Sequence, residues 1–104
     1  MNLPLILNEF KRELRDLYGE RLTDVILFGS YARGEAHVDS DIDVMVILRG
    51  EVAPDREIDR MIDIITELNL KYGVVLSVVP VAEDTYLRRN SPLLLNVRRE
   101  GVPA

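Results

Sequence analysis

Two aspartates one residue apart, Asp41 and Asp43, stand before the apolar run Val44-Met45-Val46-Ile47-Leu48 and follow Gly29-Ser30 after ten intervening residues. Carboxylates at positions i and i+2 of an extended chain leave the same face, with α-carbons about 6.5 to 7 Å apart. Two such charges repel unless something positive lies between them. A hard divalent cation such as Mg²⁺ meets that need, taking carboxylate oxygens and substrate phosphates as ligands. Gly29 lets the backbone come close to a ligand. Ser30 can cap a short helix over Tyr31 to Arg33, whose free N–H groups attract phosphate, and the Ser30 hydroxyl adds another donor. A phosphate cradle and a metal clamp would then meet if the strands on either side lie next to each other. The bland alternatives are that Gly-Ser marks a turn and Asp-x-Asp a loop. Asp41 alone can mark a strand entrance, but Asp43, followed by five apolar residues, is harder to dismiss.

The elements needed to hold these residues are legible from periodicity. Leu3, Ile6, Leu7, Phe10, Leu14, Leu17 and Tyr18 recur at helical spacing opposite Lys11, Arg12, Arg15 and Asp16, which predicts an amphipathic helix ending near Gly19. Residues 24–28 predict a buried strand, and Gly34 ends the short helix that follows. Residues 41–48 predict a second strand, with Ile42, Val44, Val46 and Leu48 on one face and Asp41, Asp43, Met45 and Ile47 on the other. Pro54 opens a long helix with Ile58, Met61, Ile62, Ile65 and Leu68 on one side, stopping at Gly73. Residues 74–79 predict a third strand, and short helices are expected near 83–90 and 92–100. The expected fold is α+β in two layers, a small three-stranded sheet with flanking helices.

Bulk properties bound the function. At 104 residues the chain fits one domain over residues 1–104, and 47% hydrophobic residues argue against disorder. There is no cysteine, so disulfides and thiolate metal sites are excluded. The first residues do not read as a signal peptide, and no apolar run is long enough to span a bilayer, so a soluble cytoplasmic chain is expected. A net charge of -5 argues against general nucleic-acid binding. The balance is uneven: residues 24–67 hold eleven acids and four arginines, residues 88–104 four arginines and one acid. The basic end is either a solvated helix face or a dock for an anionic ligand or acidic partner.

The stretch "FGSYARGEAHVDSDIDVMV", from Phe28 to Val46, resembles the signature of the DNA polymerase β-like nucleotidyltransferase superfamily, and specifically its minimal nucleotidyltransferases (MNT proteins), small chains usually paired with HEPN-domain toxins. The resemblance implies a polymerase β-like fold. It also implies that Gly29 and Ser30 hold the terminal phosphates of a nucleoside triphosphate and that Asp41 and Asp43 coordinate two Mg²⁺ ions. By the same likeness, ATP would be the substrate and AMP the transferred group. Arg33 either reaches a phosphate or pairs with Glu35 or Asp39. The implied acceptor is a tyrosine of a HEPN ribonuclease toxin, in a possible hetero-oligomer, which would make the chain an antitoxin.

Members of this superfamily generally carry a third carboxylate on the next core strand. Here that strand offers only Ser77, a poor Mg²⁺ ligand and no general base at neutral pH. His37 and Asp39 could assist from the loop, Tyr31 and Tyr86 could touch the nucleotide, and simple packing is the alternative for each. The rival reading is a binding module of the same fold that inhibits a toxin by docking alone. Transfer to RNA or to a small molecule is opposed by the acidic composition and by the lack of residues for an acceptor-gripping domain.

Overall fold

The computed structural model describes all 104 residues and orders them as α1 (Leu3–Tyr18), a 3-10 turn (Gly19–Arg21), β1 (Leu22–Phe28), α2 (Gly29–Arg33), β2 (Ile42–Leu48), α3 (Pro54–Tyr72), β3 (Leu76–Ala82), α4 (Glu83–Arg88), α5 (Pro92–Glu100) and β4 (Val102–Pro103). The sheet runs β3-β2-β1-β4. Strand β1 is antiparallel to both β2 and β4, and β2 is parallel to β3. The sheet therefore has four strands, not the three expected. The extra strand is two residues of the C-terminal tail, held where Ala104 N donates to Val25 O at 3.0 Å. A two-residue pairing leaves no periodicity to detect.

Each face of the sheet has its own core. Ile42, Val44, Val46 and Leu48 join Phe10 and Leu14 of α1 and Met61 and Ile65 of α3. Met45 and Ile47, on the other face, join Ile26 with Leu94 and Val97 of α5. Each large apolar side chain fully buried in this way contributes about 1.5–3 kcal/mol. Of the predicted helix stripes, Leu17 and Ile62 stand at the edges, 42% and 46% exposed. No helix is long and apolar enough to cross a membrane.

Three boundaries differ from expectation. Strand β1 starts at Leu22, where pairing with Leu48 extends it past a bulge near Asp24. Strand β2 starts at Ile42, which leaves Asp41 at its threshold. Strand β3 is displaced to 76–82 because Val74 closes the helix end, its N–H donating to Asn69 O at 3.2 Å, while the Asn69 side chain accepts from Leu76 N at 2.9 Å. Pro80 does not end β3, because an edge strand has one side where a missing N–H costs nothing.

Candidate active site

The antiparallel register sets Phe28, the last residue of β1, opposite Asp43. The bend into α2 therefore falls beside that carboxylate. Gly29 has φ +73, and a Cβ built on it would collide with Asp43 Oδ2 and lie 3.0 Å from Asp43 Cγ. Glycine is required twice, for the positive φ and for the close approach. Strand alternation then aims Asp43 away from the Val44–Val46 core, onto the face that carries Met45 and Ile47.

The short helix differs from expectation. It spans Gly29–Arg33, and Ser30 lies inside its first turn, with no side-chain cap. The first-turn N–H groups have no intrahelical acceptor. Gly34 closes the helix, as expected, in the left-handed region.

Asp43 is partly buried, and Asp41 is exposed. Burial first, and then the charge of Asp41, push the Asp43 carboxyl above its ordinary range; Arg33 and a hydrogen bond from Ser77 pull the other way. A carboxylate whose ionisation is opposed by burial and by a neighbouring charge is relieved by a cation. Their hard oxygen donors, reached over a glycine with no side chain in the way, fit Mg²⁺.

Ser77, the residue expected at the third-acid position, is paired with Asp43 in the parallel register. Arg33 is held by two carboxylates, Nε at 3.3 Å from Glu35 Oε2 and Nη1 at 3.7 Å from Glu100 Oε2. Its surface pairing includes Glu35 but not Asp39. The Glu100 contact was not legible, since 67 positions separate the two residues. His37 and Asp39 belong to a tight turn in which His37 N donates to Ser40 Oγ at 2.8 Å and Ser40 N to His37 O at 3.0 Å. Tyr31 packs against the α1–α3 core, and Tyr86 against the other core.

A model of the nucleotidyltransferase domain matches residues 7–96. The chain belongs to the nucleotidyltransferase family, in its minimal (MNT) branch. A candidate protein adenylyltransferase of Methanocaldococcus jannaschii is 38% identical over 102 residues, covering 97% of this chain and 96% of that protein. The protein adenylyltransferase MntA of Thermococcus cleftensis is 51% identical over 41 residues, 39% of each chain. A crystal structure of a toxin–antitoxin with AMP-PNP matches with a TM-score of 0.68 at 23% identity, over 92% of this chain and 69% of that one, a likeness of fold. As a minimal nucleotidyltransferase the chain shares the nucleotidyltransferase fold of that structure, with a sheet of four strands.

Proposed function

We propose that this chain, working as one minimal domain, transfers AMP from ATP to a tyrosine hydroxyl of a HEPN ribonuclease toxin and so acts as its antitoxin. The observation that carries the reading is the Asp43 carboxylate seated on Gly29 at the start of α2, with Asp41 beside it. The adenylyltransferase names of its relatives support it.

In this reading the Gly29-Ser30 bend binds the β- and γ-phosphates through backbone N–H groups and the Ser30 hydroxyl. Asp41 and Asp43 would hold Mg²⁺, two ions in the fullest form, which neutralises the triphosphate and stabilises departing pyrophosphate. The acceptor oxygen attacks the α-phosphorus and forms a new P–O bond. The bond to the bridging oxygen breaks, pyrophosphate leaves, and the hydroxyl proton passes to solvent. Ser77 takes no proton at neutral pH, so alignment and charge carry the rate. Arg33, once released from Glu35 and Glu100, can swing to a phosphate.

Ser77 in place of an acid also favours a second reading, a domain that inhibits by docking without turnover. Incubation with the protein encoded by the neighbouring gene, ATP and Mg²⁺, followed by intact mass spectrometry, separates the two. Whole AMP units on the neighbour, absent with Asp43→Asn, support transfer. An unmodified neighbour held in a stable complex supports docking alone.

A further inference from the structure

Beside Asp41 lies an open groove of about 820 Å³, bounded by Met1, Tyr31 of α2, the 36–41 loop, the end of α3 and the 73–75 link to β3. Four large apolar side chains stand open in it: Met1 at 69% exposure, Val38 at 96%, Leu70 at 81% and Val75 at 52%. Single exposed apolar residues are ordinary. Four in one concavity, beside the Asp41 carboxylate, mark an interaction surface. Val75 is fixed there, because its carbonyl accepts from Ile42 N at 2.8 Å, one residue from Asp41.

The charge of the groove selects its occupant. Asp39 and Asp41 line it, and no lysine or arginine does. With Asp41 given to Mg²⁺ in the proposed reading, Asp39 is the acid left to the groove, and it attracts a cationic side chain. The volume exceeds one side chain and suits a short stretch of polypeptide.

We propose that this groove is the docking surface for the acceptor protein: an extended segment with apolar side chains and at least one lysine or arginine, which lays its hydroxyl past Asp41 toward the α-phosphorus. This rests on the reading of a protein acceptor. It adds the surface that meets the acceptor and the chemistry of the segment that fits it.

The test uses the neighbouring gene product as probe. The variants are Leu70→Glu/Val75→Glu, Asp39→Lys and, as a control on another exposed apolar position, Leu87→Glu on α4. Complex affinity, rate of AMP transfer and affinity for ATP with Mg²⁺ are measured for each, with melting curves to confirm folding. The groove variants should weaken the complex at least tenfold and slow transfer to match, while ATP affinity stays within twofold. Leu87→Glu should change none of the three. Retention of the complex by both groove variants would overturn the proposal. So would a parallel loss of ATP affinity, which would make the groove a nucleoside pocket. If the wild-type chain binds its neighbour without adding AMP, the transfer reading fails while the effect on complex affinity still decides the groove. A wild-type chain that neither binds nor modifies the neighbour overturns both.

Discussion

Gly29 and Gly34 flank the same short helix with nearly equal φ, +73 and +72, yet only Gly29 has a carboxylate against it. A side chain in the left-handed region costs about 1–2 kcal/mol at either place. Gly34→Ala should therefore lower stability by about that amount and leave Mg²⁺-dependent ATP binding intact, whereas Gly29→Ala should also push Asp43 aside and abolish that binding. Melting curves and calorimetric titration on both variants check the contrast. Asp43 itself trades stability for function. Its carboxyl is raised above the ordinary 3.8 by burial and then by Asp41, so the folded state holds this proton more tightly than the unfolded chain. Stability from this group is full below the unfolded value and is lost as pH rises through the higher folded one. At neutral pH without Mg²⁺, Asp43→Asn should raise the melting temperature while removing ATP binding.

A second polar cluster, joining α1 to α3, shows what an element needs in order to stay placed. Glu57 of α3 is 2% exposed, accepts from Tyr18 OH at 3.0 Å and from Arg60 Nη1 at 3.3 Å, and has Arg21 Nη2 at 3.8 Å. Arg21 also donates to the carbonyls of Arg49 and Glu51, tying the 3-10 turn to the β2–α3 loop. Burial and then Glu57 push the Tyr18 phenol well above its ordinary 10.0. That raised value means stability is full below pH 10 and falls as pH climbs beyond it. Tyr18→Phe should cost about 1–3 kcal/mol by leaving a buried carboxylate oxygen short of a donor, and should flatten the alkaline loss seen in pH-dependent melting. ATP affinity should not change, because the cluster sits at the C-terminal end of β2 and the site at its start. Sequence periodicity could not show this cluster, since Glu57 reads as one more charge on a charged helix. The same reasoning explains what was legible elsewhere. The order of helices and strands, the alternation of β2 and the closing roles of Gly34 and Gly73 follow from local spacing. The pairing of Ser77 with Asp43 and the reach of Glu100 to Arg33 are set by register and by chain return, which local spacing does not encode.

For the molecule as a whole, the acids at 41 and 43 give an open site whose occupant contributes to stability by mass action. A ligand at one hundred times its dissociation constant adds about 2.7 kcal/mol, so ATP with Mg²⁺ should raise the melting temperature of the wild-type chain and not that of Asp43→Asn. The central claim is that two carboxylates and a glycine-serine bend form one Mg²⁺-dependent ATP site. Calorimetric titration of ATP, with and without Mg²⁺, into the wild-type, Asp43→Asn and Asp39→Asn proteins tests it most directly. Saturable binding that requires Mg²⁺, disappears in Asp43→Asn and persists in Asp39→Asn is the predicted result. Binding indifferent to Mg²⁺, or equally strong in Asp43→Asn, would contradict it.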